Sequence, residues 1–448
     1  VNGEFPEGWK EVRLGSVLKL VNGFAFKPSN WGKIGLPIIR IQNLNDPDAP
    51  FNYCEHGIPT KARVKHGDLL FAWSGTPGTS FGAHIWKGGD AWLNQHIFRV
   101  EFDPSDFNRE FLRHAININL NDYIAQAHGG AGLAHITKGM FEDSLLRIAP
   151  LAEQERILAA LDRVLSSVGA CQSRLGQIPL ILKRFRKSVL AAACSGRLTE
   201  EWREKVPDQS IVEPAIPREV VEVDEICETP ENWMWLPLES LCDPKRSICY
   251  GVIKLGDECV GGVPCLRTSD VRPLRINTED VKRISPNISE RYQRTLLRGG
   301  EVLVNVRGTL GGVAVVPLSL KDWNISREVA VVPINGANQH FISFWIASMS
   351  CQKWLTNVAK GVAYTGINIS DLKLLPVALP SLEEQQLIVR RVESLLALAD
   401  EIEERYAKAL HQAERLAPSL LAKAFRGELV PTEAELERPK GTAHKPAR

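Results

Sequence analysis

The chain has 448 residues, length enough for about three domains at ~150 residues each, and its 44% hydrophobic and 24% charged residues describe a globular protein rather than a disordered one. Lys and Arg number 54 against 53 Asp and Glu, so the formal charge of +1 neither demands nor excludes a polyanionic partner and the distribution of charge must decide. Apolar stretches such as 178–182 and 189–194 fall far short of the ~18 residues of a membrane span. The opening Val1-Asn2-Gly3-Glu4-Phe5-Pro6 lacks the basic and apolar regions of a signal peptide, and the expected location is the cytoplasm.

Residues 1–150 mix strand-like runs at 36–41, 68–73 and 97–102 with a helical stretch near 107–126. A Gly75-Thr76-Pro77-Gly78 turn follows the second run. Such a turn can cradle a phosphate with backbone N–H groups, but it lacks the P-loop pattern and a tight hairpin turn is the plainer reading. Arg40, Gln42, Asn43, Trp73, Ser74, Asn94, Gln95 and His96 gather around it. Arg, Asn and Gln can grip base edges bidentately.

Residues 151–205 read as a helix. Ile157, Leu161, Val164, Val168, Cys171, Leu175, Ile178, Leu182, Phe185 and Val189 follow steps of four and three, the seam of a coiled coil. Gly176 and Pro179 predict a kink or break. The straight piece 151–178 would be ~42 Å long at 1.5 Å per residue. From Arg163 to Arg197 there is no acid, while Arg163, Arg174, Lys183, Arg184, Arg186, Lys187 and Arg197 supply positive charge. The segment suits either a phosphate backbone or an acidic protein partner. Residues 206–230, with Pro207, Pro214, Pro217 and Pro230 among many acids, read as a linker.

A second globular part follows at 231–380, with strand-like runs at 302–306 and 314–316 and a helical stretch at 340–359. Cys242, Cys249, Cys259 and Cys265 fall close together without a Cys-x-x-Cys pair or a nearby His, so no metal site is expected. The turn recurs as Gly308-Thr309-Leu310-Gly311, flanked by Arg267, Thr268, Ser269, Asn305, Arg307, Ser326 and Arg327. A second helix, 381–430, and a loose tail, 431–448, complete the chain.

These parts form a duplication. Glu384-Gln385 stands 231 residues after Glu153-Gln154, and Gly427-x-Leu429 stands 231 after Gly196-x-Leu198. Adding 231 to the first helical seam gives Ile388, Val392, Leu395, Ala399, Ile402, Tyr406, Ala409, Ala413, Leu416 and Leu420, a second seam of smaller residues. Trp9 corresponds to Trp233, Arg40 to Arg267 and Gly67 to Gly300, with drifting offsets that mark loop insertions. His135-Ile136-Thr137 is matched with Asn368-Ile369-Ser370. Each helix needs a partner, and the other copy is the expected one.

Two divergent globular parts alternate with two similar helices. Each helix opens on a Pro-Leu-rich strand end and a Glu-Gln pair (Pro150-Leu151-Ala152-Glu153-Gln154; Pro380-Ser381-Leu382-Glu383-Glu384-Gln385), and each closes on Gly-x-Leu. This duplicated order resembles the specificity (S) subunit of type I restriction-modification enzymes over nearly the whole chain. The resemblance implies an α+β fold of two target recognition domains in tandem. Two long helices would separate them and form an antiparallel coiled coil with pseudo-twofold symmetry. Each domain would read half of a bipartite, asymmetric DNA site, and the helices would set the spacing. The straight helical piece is close to the ~34–36 Å of one DNA turn.

The resemblance also implies partners and no catalysis by this chain. Two methyltransferase subunits would bind S-adenosylmethionine and methylate adenine at N6, leaving the S subunit without a cofactor; a restriction subunit would cleave. DNA contacts are then expected from Arg40, Gln42, Asn43, Trp73, Ser74, Gly75, Thr76, Gln95 and His96 in the first domain. In the second they are expected from Arg267, Thr268, Ser269, Asn305, Arg307, Gly308, Thr309 and Arg327. Partner contacts are expected from Glu153, Gln154, Arg184, Lys187, Glu384 and Gln385. No amino-methyltransferase motif or Gly-rich cofactor fingerprint stands in the chain, which argues against a methyltransferase. The same duplication would suit the specificity subunit of a type IIB-like system, which differs in its partner chain. A purely structural coiled-coil adaptor would need no polar, divergent loops in both globular parts.

Overall fold

A computed structural model describes residues 6–46, 48–75, 81–120, 134–206, 228–359 and 366–438. It divides into two units: residues 1–176 with 408–448, and residues 177–407.

In the first unit, strands Leu18–Asn22, Ile97–Phe102, Leu69–Ala72 and Gly82–Ile85 form an antiparallel sheet in that order. A second sheet orders Asn52–Cys54, Leu36–Ile39, Ala91–Leu93 and Arg63–Val64, with Leu36–Ile39 parallel to Ala91–Leu93. All four residues of Leu69–Ala72 are buried, because the strand separates two cores. Leu69 and Phe71 face one cluster and Leu70 and Ala72 the other, as the two-residue period of a strand requires.

The second unit repeats this plan. Strands Cys249–Tyr250, Val329–Val332, Val302–Asn305 and Val313–Val315 form the corresponding antiparallel sheet. Val263–Leu266 pairs in parallel with Asn324–Ile325. Val302 and Val304 point into one core and Leu303 into the other. The helical stretches are Arg109–Ile118 in the first unit and, in the second, Gln339–Ala347 followed by Met349–Ala359.

Helices complete each unit. Leu151–Leu175 ends at the Gly176 turn and Ile178–Cys194 begins anew, with Pro179 in its first turn, where the missing N–H costs nothing. The expected break is therefore present. The second copy has Leu410 at the position of Pro179 and runs as one 43-residue helix, Leu382–Ala424, containing Pro418.

Both helix pairings are antiparallel. In the first unit, Ile157 and Leu161 share a core with Ala424, while Gln172 Nε2 donates to the Ala413 carbonyl at 3.3 Å. In the second, Val189 shares a core with Ile388 and Val392, while Arg186 reaches Asp400 and Glu403. Ile157, Leu161, Val168, Leu182 and Val189 are buried along the seam, but Val164, Cys171, Ile402 and Leu416 are exposed. A straight α-helix drifts ~20° per heptad from a 3.5-residue repeat, so a continuous pattern does not stay on one seam.

Two expectations are corrected. The tail is not loose where it is described. Thr432 caps helix Glu433–Glu437 in a reciprocal capping box with Glu435, and Arg156 holds Glu433 at 2.7 Å. Charge pairing and a satisfied helix N-terminus fix the segment. The register near 134–137 also shifts by two. Ile136 N donates to the Trp73 carbonyl and Ile367 N to the Val306 carbonyl, and Thr137 and Asn368 each occupy the residue before a short helix. Thr137 therefore corresponds to Asn368, in the same 231-residue register as the helices. Residues 207–227 of the expected linker and 439–448 of the tail lie outside the described residues.

Among the described residues no helix is long and apolar enough to cross a membrane, and no group of three or more His, Cys, Asp or Glu could hold a metal ion. Cys242, Cys249 and Cys265 belong to three different apolar clusters. Burial pushes the Cys242 and Cys265 thiols up to about 12.

Candidate nucleic-acid interface

The same backbone arrangement gathers the expected site residues in each unit. In the first, Asn94 N donates to the Ile39 carbonyl at 3.1 Å, Gln95 N to Phe24 at 2.9 Å and Trp73 N to His96 at 3.3 Å. In the second, Ser326 N donates to Leu266 at 2.8 Å, Arg327 N to Val252 at 2.9 Å and Val306 N to Glu328 at 2.9 Å. These bonds align Arg40 with Arg267, Trp73 with Val306, Ser74 with Arg307, Gln95 with Arg327 and His96 with Glu328. Gly23 and Gly251 make the crossing possible. A Cβ on either would stand 2.1 Å from the Asn94 oxygen or 1.9 Å from the Ile325 oxygen, closer than atoms can approach.

Some of the expected readers hold the loops instead. Asn43 is buried; its Oδ1 accepts from Arg40 N and its Nδ2 donates to Ala49 O. Asp270 does the equivalent, accepting from Arg267 N at 2.8 Å. Asn305 is buried, and its Nδ2 donates to the carbonyls of Thr268, Val271 and Thr309. Burial keeps both amides from a base, Asn43 bonded to the backbone through both amide atoms and Asn305 through Nδ2, its Oδ1 enclosed without a partner, so both shape the loops. Ser74 is also buried, pairing with His135 across a short ladder in which Gly75 faces Ala134. Thr76 lies outside the described residues.

The side chains left outward differ between units. In the first, Gln42 and Gln95 are exposed, and Arg40 lies over the exposed ring of Trp31 at 5.6 Å. Trp73 stacks near Phe98 and His96, and its indole N–H donates to the Gln95 carbonyl at 3.1 Å. Gln95 Nε2 meets His96 Nε2 at 3.3 Å. In the second, Ser269, Arg307, Thr309 and Arg327 are exposed, with Thr268 and Arg267 half-buried. Arg307 lies over the exposed ring of Tyr250 at 5.9 Å. Arg327 Nε is 3.7 Å from Glu328 Oε1. Gly308 and Gly311, both at positive φ, turn the chain between the antiparallel strands Val302–Asn305 and Val313–Val315, the hairpin reading of that motif.

Trp31 and Tyr250 are absent from the expected set. Lone aromatics in loops carry no periodic signal, and only the fold brings an arginine over each.

The Glu-Gln pairs require a correction. Glu153 and Gln154 are 0% exposed, and Glu384 and Gln385 1% and 2%. Trp9 Nε1 donates to Glu153 at 2.7 Å, and Trp233 Nε1 to Glu384 at 3.1 Å. Gln154 Oε1 accepts from Asn108 N and Gln385 Oε1 from Asn338 N, both at 2.8 Å. Asn108 and Asn338 in turn cap helices Arg109–Ile118 and Gln339–Ala347. The four residues thus tie each spacer helix to its own globular part, and their burial denies them to a partner. Arg184 and Lys187 are exposed on helix Ile178–Cys194.

Two similar scaffolds presenting different polar loops are the architecture of a recognition subunit. The family described as "Type I restriction modification DNA specificity domain" matches residues 6–175 and 230–412. The chain belongs to this family, and it is a DNA-recognition subunit rather than a catalytic one. It is 35% identical to the type I restriction enzyme EcoBI specificity subunit of Escherichia coli, covering 96% of this chain and 88% of that one. It is 30% identical to the EcoKI specificity subunit of E. coli strain K12, over 95% and 90%. The solved HsdS subunit from Thermoanaerobacter tengcongensis shares its fold, with a TM-score of 0.59 at 18% identity over 95% of this chain and 99% of that one.

Proposed function

We propose that residues 1–150 and 231–380 each read one half of an asymmetric, split DNA site, and that 151–205 and 381–430 set the spacing between the halves. The observation that carries this reading is the alignment of Gln95 with Arg327 and of Ser74 with Arg307 on matching backbones. Equivalent loops with different side chains would read different bases. Arginine grips guanine through O6 and N7, and glutamine grips adenine through N6 and N7. The second half-site therefore contains guanine opposite Arg307 or Arg327, and the first contains adenine opposite Gln95. Thr268 and Thr309 supply hydroxyls to phosphate or base edges, while the Ser269 hydroxyl donates to Asp270 at 2.7 Å and can only accept. Arg40 and Arg267 act from the loop that follows the parallel strand in each domain.

The chain works with two methyltransferase subunits, docked on the spacer helices near Arg184, and with restriction subunits that cleave. S-adenosylmethionine belongs to the methyltransferase. Sequencing the N6-methyladenine of cells that express the methyltransferase with and without this chain tests the proposal. One split, asymmetric motif that depends on the chain is expected. R307A should weaken binding by about 1–3 kcal/mol and relax one position in one half of that motif. Methylation that is independent of the chain, with the methyltransferase active and assembled, would overturn the proposal.

A further inference from the structure

The second unit holds a cleft of about 1180 Å³ between helix Ile178–Cys194 and the globular part. Lys183 and Lys187 line it from the helix, Arg275 from a hairpin and Lys353 from helix Met349–Ala359. All four are exposed, and among the described residues none of them makes an ion pair. The acids on the cleft wall, Asp400 and Glu403, share one partner, Arg186, at 2.6 and 2.7 Å, so a single negative charge there stands against the four cations. The cleft therefore faces any ligand with an excess of positive charge supplied by three separate elements.

The hairpin that delivers Arg275 is held in an uncommon conformation. Its strands are Val271–Arg272 and Arg275–Ile276, and Leu274 at its tip has φ +59°. A bulky side chain avoids the left-handed region unless the surroundings enforce it. Here the Leu274 N–H donates to the Val313 carbonyl at 2.7 Å, and its side chain packs against the unit's core. The first unit has no corresponding two-stranded hairpin among its described residues.

The cleft is continuous with the reading loop. Gly311, three residues beyond Gly308, is part of its lining, and Gln352 Oε1 lies 3.5 Å from where a Gly311 Cβ would stand. Gln352 and Thr356 add neutral polar groups beside Lys353. A polymer held at Arg307 has a cationic path from that loop to the spacer helix.

We propose that this cleft is a sequence-independent binding site for the phosphodiester backbone of the DNA adjoining the half-site read by the second unit, with Lys183, Lys187, Arg275 and Lys353 as its phosphate contacts. The inference rests on the DNA-reading role proposed above. Within the acid-free run 163–197, Lys183 and Lys187 then track the DNA backbone, while Arg184, which does not line the cleft, is left to the methyltransferase.

The test is the salt dependence of DNA binding by the assembled methyltransferase complex carrying K183A/K187A/R275A/K353A, measured on a duplex with the recognised site and on one without it. Each lost phosphate contact lowers the slope of log K against log salt by about 0.9, so the fourfold variant should lose about 3–4 in slope. The loss should be the same for both duplexes, with the methylation motif unchanged. R307A serves as the comparison, and should alter the motif while losing at most one contact's worth of slope. A slope unchanged in the fourfold variant would overturn the cleft assignment. So would loss of the methyltransferase subunits from the purified complex, which would make the cleft a protein dock. An R307A motif identical to the parent's would instead count against the reading loop and leave the slope result to stand on its own.

Discussion

The two units place identical chemistry where the helix meets the globular part and different chemistry where the loops face outward. Trp9, Asn108, Glu153 and Gln154 in one repeat as Trp233, Asn338, Glu384 and Gln385 in the other, with the same donors and acceptors. Gln95 in one stands where the other has Arg327, and the buried Ser74 where the other exposes Arg307. The buried network is costly to change because each member satisfies another that has no access to water. The loop side chains hang from backbone bonds that any residue can make, so they vary without disturbing the frame.

Substitution should cost most at the shared joint. Glu384 accepts from Thr199 at 2.7 Å and from Trp233, and pairs with Arg203. E384A leaves the Arg203 charge and those donors unpaired, and should destabilise the second unit by about 3–5 kcal/mol. Denaturant unfolding of the variant measures it. E153A strands only the Trp9 indole and the Glu433 N–H and no charge, so it should cost less than E384A, and wild-type stability in either would refute the shared joint.

A lesser difference lies within the frame itself. Helix Arg109–Ile118 carries His114 where the corresponding helix of the second unit carries Phe344. Burial, with the Arg113 guanidinium beside it, lowers the His114 pKa to about 4 from 6.5. The unfolded chain takes up this proton near pH 6.5 and the folded unit only near pH 4. The contribution is therefore complete above pH 6.5 and is lost as pH falls towards 4, by an amount on the order of 3 kcal/mol. Unfolding midpoints at pH 7 and pH 4.5 should differ more for the parent than for H114F. Identical pH dependence in both would remove His114 as the cause.

A finer effect belongs to the second loop. Tyr250 supports the Arg307 guanidinium, an interaction worth about 0.5–1 kcal/mol at an exposed site. Y250A should weaken DNA binding by that amount, and Y250F should not. Titration of the recognised duplex distinguishes them.

Much of the frame was legible in the sequence because it is periodic. The repeat at 231, the heptad seams, the break at Gly176–Pro179 and the strand at 97–102 all follow from spacing. The role of the Glu-Gln pairs was not legible. Charged and amide side chains at a helix start read as surface, and only the tertiary fold shows Trp9 and Trp233 closing over them. The same limit applies to Asn43 and Asn305, whose composition suggests base contacts and whose burial commits them to carbonyls. The helix at Glu433–Glu437 depends on Arg156, 277 residues away in sequence, which local patterning does not reveal.

Whether the two loops read independently can be settled by mapping N6-methyladenine motifs for the parent chain, Q95A and R307A, each expressed with the methyltransferase. Q95A should relax a position in one half of the motif only, and R307A a position in the other half only. Relaxation of both halves by either substitution, or of the same half by both, would contradict independent reading.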